Sequence, residues 1–296
     1  MKALITGGTG FLGTALVRAL RQQGHHVTIL SRKPKGPGEA LWNGGADDTL
    51  AARIEGTDVV INLAGESIAG GRWTRARKQA ILRSRVDGTR ALAEAIAEAE
   101  HPPSVFLSGS AVGYYGARDA IAVDERSSAG SDFLAHVCIE WERAAAAAYS
   151  RTRMVALRTG LVLDQSGGVL PQIARPIRWG VGGPVSDGTQ FMSWIHLRDW
   201  VGMVLWAIAR ESVSGPLNLT APAPATNEEL TRALARELHR PAFLRVPALA
   251  VRLMLGREMA DALLVNGQRV LPHKAAAEGY NFRFSQLVAA LKEIYR

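Results

Sequence analysis

The sequence predicts an α/β fold, a doubly wound parallel sheet with a smaller C-terminal α/β region that faces the substrate. Three observations carry that prediction. A short apolar strand at Lys2–Ile5 runs straight into TGGTGFLG and then into a helical stretch, Thr14–Gln23, with Ala15, Leu16, Ala19 and Leu20 on one face. Gly24 fits a helix C-terminal cap, and a second strand, HHVTIL, follows at residues 25–30. Strand and helix then keep alternating as far as residue 160, the rhythm of a sheet wound on both faces.

The elements follow in order. Residues 33–48 are rich in Gly and Pro and read as a loop. TDVVINL at 57–63 is a nearly all-apolar strand, as a sheet covered on both faces requires. Ala76–Glu100 reads as a helix with Ile81, Val86, Leu92 and Ile96 apolar, and Pro102-Pro103 breaks it. Ser104–Leu107 is the next strand and leads into SGSAVGYYG. Phe133–Tyr149 is an alanine-rich helix, and Met154–Leu157 the strand after it. Beyond Gly160, glycine clusters at 167–168 and 182–183 mark loops, with helices near Asn227–Leu238 and Gln286–Ile294. The chain is therefore expected to divide into a dinucleotide-binding domain at 1–160 and a substrate-facing region at 161–296. Core strands are free to come from later segments as well.

Composition narrows the class. The 296 residues are 47% hydrophobic and 21% charged, ordinary for a soluble globular protein. Cys138 is the single cysteine, which excludes an internal disulfide and reads as a small buried residue on a helix. Met1-Lys2 lead into the glycine turn with no apolar signal core between them. The longest apolar stretch, Trp200–Ala209, falls short of the ~20 residues a bilayer span needs and reads as a buried helix. A cytoplasmic protein with no membrane partner is expected. The net charge of +8 is dispersed and no nucleic-acid motif accompanies it, so the excess is read as solvated surface and recognition of an anionic ligand. No metal is expected, because the histidines lack ligand spacing and the cysteine stands alone.

The glycine turn is the strongest motif. Gly7-x-x-Gly10-x-x-Gly13 follows a strand and opens a helix, the setting of a Rossmann-like dinucleotide site. Gly7 permits the sharp turn, Gly10 lets the backbone approach a pyrophosphate, and Gly13 allows close packing of the helix. The helix start supplies free N–H groups and a positive dipole end. Gly7, Thr9, Gly10, Phe11, Leu12 and Gly13 are thus expected at the cofactor. The second strand ends at Leu30, and Ser31-Arg32-Lys33 follows, with no acid until Glu39. An NAD site would place an acid there for the ribose 2′-hydroxyl. Arg32 suits a 2′-phosphate instead, with Ser31 as a neutral donor and Lys33 adding positive field. NADP(H) is the expected cofactor.

These residues resemble the extended short-chain dehydrogenase/reductase superfamily. TGGTGFLG is similar to its cofactor turn, and Asn62-Leu63-Ala64-Gly65 to its fourth-strand motif. Ser108-Gly109-Ser110 with Tyr115-Gly116 is similar to its serine strand, and Trp194-Ile195-His196 through Asp199 to its later His-x-x-Asp segment. NLAGES, SAVGYYG, DFLAHVCIEWE, WIHLRDW and NGQRVLPHKAAAEGY resemble more closely an atypical branch, the "epimerase family proteins", whose C-terminal domain of unknown function the segment 248–296 resembles. The resemblance implies that Leu63, Ala64, Gly65, Glu66, Arg85 and Ser108 border the cofactor.

One departure concerns the chemistry. The superfamily uses a Tyr-x-x-x-Lys pair, the tyrosine as acid/base and the lysine to lower its pKa and hold the nicotinamide ribose. No tyrosine here has a lysine four residues on. Leu134 and Cys138 stand at those positions, and neither can replace them directly. Candidates for the chemistry are Ser110, Tyr114, Tyr115 and His196. Ser110 suits a substrate oxygen, the tyrosines either a displaced acid or an aromatic wall, and His196 either a proton donor or a structural ring between Ile195 and Leu197. Glu66 suits a base or a cofactor contact. Two functions stay open: an oxidoreductase or epimerase acting on an unidentified small molecule, and a non-catalytic NADP(H)-binding sensor or interaction protein. A homodimer also stays open.

Overall fold

The computed structural model describes residues 1–296. Its centre is a seven-stranded sheet. β1 (Lys2–Thr6), β2 (His26–Ser31), β3 (Glu39–Leu41), β4 (Val59–Asn62) and β5 (Val105–Ala111) are joined by strands Arg153–Thr159 and Gly215–Leu219. From one edge to the other the order is Gly215–Leu219, Arg153–Thr159, β5, β4, β1, β2, β3. Every pairing in this sheet is parallel.

The strands are apolar on both sides because helices cover both. Ala3 and Ile5 face one core, under α1 (Phe11–Gln22) and helix Leu197–Ala209. Leu4 faces the other, under α2 (Leu50–Ile54) and α3 (Arg75–Glu98). The buried helix expected at 200–209 is present and carries Trp200, Met203, Val204 and Ala207 into the core. A third core joins helices Leu170–Arg178, Asn227–Glu237 and Leu287–Ile294 around Trp194, Leu230 and Leu291. No helix is long and apolar enough to cross a membrane.

Three elements differ from expectation. Residues 39–41, expected as loop, form edge strand β3, because backbone pairing with β2 overrides their local turn chemistry. α1 begins at Phe11 rather than Thr14, immediately after the N-cap Gly10. α4 (Phe133–Ala144) starts under an Asp132 cap that accepts from the Ala135 N–H at 2.9 Å, and it ends in a short 3₁₀ turn at Ala146–Ala148. Strand Gly215–Leu219, far along the chain, closes the sheet beside Arg153–Thr159.

From β1 the chain winds outward through β2 and β3, then returns to β4 on the other side of β1. That reversal opens a crevice at the carboxyl ends of β1 and β4. Gly7, at φ +68°, fits against it so tightly that a Cβ would lie 2.7 Å from the Leu63 carbonyl carbon.

Candidate functional site

A cavity of about 510 Å³ runs from the glycine turn into the region beyond β5. Gly7, Gly10, Phe11, Leu12 and Gly13 line one end, Leu63, Gly65 and Arg85 the middle, and Ser110 the other. Ala262, Leu263, Asn266, Gly267 and Gln268 of the C-terminal segment line it too. Gly167 and Gly168 pack on the Phe11 ring, where a Cβ at Gly167 would come within 2.7 Å. The two halves of the chain therefore meet over the start of α1.

The glycines divide their work. Gly10 has φ −80°, ψ 178°, an extended conformation open to any residue, and a Cβ there would meet only the Gly7 oxygen at 3.3 Å. It is exposed and borders the cavity. Gly13 is buried, and a Cβ there would lie 2.2 Å from the Gly7 oxygen. The turn is thus closed by Gly7 and Gly13, and Gly10 keeps its mouth clear, a cradle that suits a pyrophosphate. At the end of β2, Ser31 Oγ accepts from the Lys33 N–H at 3.2 Å, which leaves its hydroxyl proton free. Arg32 and Lys33 are exposed beside it. Glu39, the first acid after β2, pairs in register with Ile29, two residues back from the strand end. Its carboxylate accepts from the Lys35 N–H at 2.9 Å. The strand end therefore offers cations and a hydroxyl, the chemistry of a 2′-phosphate contact.

At the far end, Ser110 Oγ donates to Glu142 at 2.6 Å. Arg158 grips both Glu142 oxygens, through Nε at 2.8 Å and Nη2 at 2.9 Å. Its Nη1 donates to the Tyr115 hydroxyl at 3.0 Å, and that hydroxyl donates to Asn218 Oδ1 at 2.7 Å. The Tyr114 ring lies 3.4 Å from the Arg158 Cζ. Arg158 is buried on an apolar strand, and the carboxylate and tyrosine around it raise its pKa against the pull of desolvation. Leu134 and Cys138 line the cavity from α4. Burial pushes the Cys138 thiol up to about 12, so it is a neutral wall.

Other expected residues lie elsewhere. The Tyr115 hydroxyl is buried outside the cavity lining and its pKa is pushed up to about 12 by burial, so it ties Arg158 to Asn218. His196 is buried at the start of helix Leu197–Ala209, away from the cavity. Its Nδ1 accepts from the Arg198 N–H at 3.0 Å, and its ring stacks on Phe284 at 4.1 Å. Cap and stack, rather than proton donation into the cavity, are its contacts. Thr9 is exposed in a neighbouring groove with Arg18 and Arg21. Ala64 N–H donates to Thr6 Oγ1 at 3.2 Å, and Ser108 Oγ is buried against the Gly109 oxygen at 3.4 Å. Glu66 pairs with Arg77 at 2.9 Å. Just ahead of α3, Arg72 donates to the Leu253 and Met254 carbonyls, and on α3 Lys78 pairs with Glu258 at 2.8 Å.

Burial holds the His196 imidazole below its ordinary value of 6.5. Above pH 6.5 the ring is neutral folded and unfolded alike. Below it the unfolded chain takes up a proton that the folded ring resists, so stability falls until the pH passes the folded pKa. His196→Asn keeps a capping oxygen and removes the titration. Urea midpoints measured between pH 7.5 and 5.5 should fall more steeply for wild type than for the variant. Equal slopes would contradict a buried neutral ring.

Residues 3–219 match the profile of the NAD dependent epimerase/dehydratase family. The chain belongs to that family. Residues 246–294 of this epimerase-family chain match a domain of unknown function. It is 42% identical to the epimerase family protein SDR39U1 of Bos taurus, over 99% of both chains. It is 38% identical to the epimerase family protein YfhF of Bacillus subtilis, over 99% of this chain and 98% of that one. Among solved structures it is similar to human SDR39U1 (isoform 2) crystallised with NADPH, with TM-score 0.93 and 40% identity, covering 100% of this chain and 99% of that one. It also superposes on a nucleoside-diphosphate sugar epimerase from Corynebacterium glutamicum, with TM-score 0.83 and 32% identity, covering 100% of this chain and 58% of that one.

Sequence reasoning named none of Glu142, Arg158 and Asn218 as a site residue. Arg158 carried a signal: an arginine inside the apolar run MVALRT needs a buried partner.

Proposed function

We propose that this epimerase-family chain binds NADP(H) and acts as an oxidoreductase or epimerase on a small substrate, with Ser110 and Glu142 at the reacting end. The observation that carries this reading is the single cavity joining the glycine turn to Ser110. The NADPH in the human SDR39U1 crystal supports the cofactor. The cofactor, when bound, supplies the hydride donor or acceptor.

The chain's own groups do the rest. Ser110 gives its proton to Glu142 at 2.6 Å, so it turns oxygen lone pairs toward the cavity. It is therefore set to take the proton of a substrate hydroxyl on its oxygen as its own hydroxyl proton moves to Glu142. Arg158 holds Glu142 in place by a two-pronged grip. Leu134, Val137 and Cys138 keep water from that end. This arrangement does the work of an acid/base without a Tyr/Lys pair. The test is substrate-dependent change in NADPH absorbance, together with chromatographic detection of epimerised product, across a panel of sugars, nucleotide-linked sugars and small carbonyl compounds. Turnover that is lost in Ser110→Ala and Glu142→Gln is expected. Silence across the panel with cofactor bound would count against it.

A second reading, a non-catalytic NADP(H) sensor, is favoured by Leu134 and Cys138 at the Tyr/Lys positions. It predicts partner proteins that differ between pull-downs in NADP+ and in NADPH, and identical partners would overturn it.

A further inference from the structure

The charges around the reacting end of the cavity are answered inside the protein. Glu142 stands behind Ser110, outside the lining, with both oxygens in the grip of Arg158. Arg269 is exposed, lies outside the lining too, and packs on the Phe191 ring at 5.5 Å. Of the residues that do line the cavity, Arg85 alone is charged, and it sits in the middle. Past it the walls are Leu134, Val137 and the neutral Cys138 on α4, Val112 after β5, and Leu263 of the C-terminal segment. The polar groups at this end are neutral oxygens. Ser110 turns lone pairs into the cavity, because its proton is given to Glu142. Gln268 Nε2 donates to the Val112 oxygen at 3.1 Å, and its Oε1 accepts from no protein group.

The same segment limits the room. The Gln268 backbone oxygen accepts from Ser193 Oγ at 2.7 Å, and Gly267 packs on Phe191 so closely that a Cβ would come 2.3 Å from the Phe191 oxygen. The segment is thereby fixed over the reacting end. About 510 Å³ must serve cofactor and substrate together, a volume ordinary for the pocket of a single ligand. An anionic substrate would meet lone pairs rather than a cation here, and bound NADP(H) adds phosphate charge of the same sign. The desolvation cost of a carboxylate or a diphosphate would go uncompensated. We infer that the substrate is a small uncharged alcohol or carbonyl compound with an apolar body, its reacting oxygen at Ser110, and not a nucleotide-linked sugar. This rests on the reading of the chain as an NADP(H)-dependent enzyme, and it names the substrate class of that same site.

The probes are matched pairs that differ by one charge: benzaldehyde against 4-formylbenzoate, and benzyl alcohol against 4-(hydroxymethyl)benzoate. UDP-glucose stands for the nucleotide-linked sugars. Each is offered to the protein loaded with NADPH or NADP+, with turnover read by absorbance and binding by NMR titration. The neutral member of each pair should bind at least about tenfold more tightly than its carboxylate, and UDP-glucose should neither bind nor react. Gln268→Arg keeps an N–H for the Val112 oxygen and brings a cation to this end, so it should remove most of that preference. Carboxylates bound as tightly as their neutral partners, UDP-glucose bound to the loaded protein, no neutral member bound, or an unchanged preference in Gln268→Arg would each overturn the substrate class while leaving NADP(H) binding intact. Neutral members that bind in the expected order yet never turn over would support the class of ligand and count against the enzyme reading instead.

Discussion

Gly13→Val is expected to leave little folded protein, whereas Gly10→Val, three residues earlier, is expected to fold normally and bind no cofactor. A Cβ at Gly13 would sit 2.2 Å from the Gly7 oxygen and 2.6 Å from the Gly8 Cα, both backbone atoms that cannot step aside. The Gly7 oxygen also accepts from the Gly10 N–H at 3.0 Å, so relief would open the turn itself. Overpacking of this kind costs ~1–3 kcal/mol or more, a large share of the ~5–15 kcal/mol that holds a domain together. At Gly10 the backbone is extended, and the new side chain meets one atom at 3.3 Å. Its branches enter the cavity mouth instead, and NADPH affinity should fall at least about a hundredfold. Urea melts and calorimetric titration of both variants read the contrast. A stable Gly13→Val, or a Gly10→Val that binds NADPH as wild type does, would contradict the division of work among the glycines.

The second large effect is expected at the Arg158–Glu142 pair. Their side chains are 4% and 16% exposed, and both guanidinium prongs are engaged. Glu142→Leu strands a buried cation, and Arg158→Met strands a carboxylate beside Ser110. Removing one partner of a buried pair costs ~3–5 kcal/mol. The double variant should recover part of that loss, because neither charge is left alone. Denaturant titration of the two single variants and the double variant gives the coupling directly. Single variants within about 1 kcal/mol of wild type would mean that the pair behaves like a surface contact.

The sheet was legible because its strands are apolar on both faces and its first turn is punctuated by glycine. Ala3, Leu4 and Ile5 read as strand from sequence, and in the structure they feed two opposite cores. Strand β3 was not legible, since Glu39–Leu41 sits among glycines and prolines and becomes strand only by pairing with β2. The glycine turn was legible because its signal is local, confined to one turn and the strand and helix beside it. The Ser110–Glu142–Arg158 cluster is assembled from β5, α4 and Arg153–Thr159, whose partners are separated by 32 residues from Ser110 to Glu142 and 16 from Glu142 to Arg158. Such a triad leaves no spacing to read. His196 and Tyr115 carried the right chemistry by type, but burial gave them a helix cap and an arginine to hold.

The most direct measurement is a pair of titrations, NADPH and NADH, against wild type and Arg32→Ala. Arg32 is exposed at the end of β2, and the nearest following acid, Glu39, lies back along the edge strand. Wild type should prefer NADPH, and Arg32→Ala should weaken NADPH about ten- to hundredfold while sparing NADH. Higher salt should erode part of the preference, because the contact is exposed. Equal losses for both nucleotides would remove Arg32 from the 2′-phosphate. A wild type that prefers NADH would contradict NADP(H) as the cofactor.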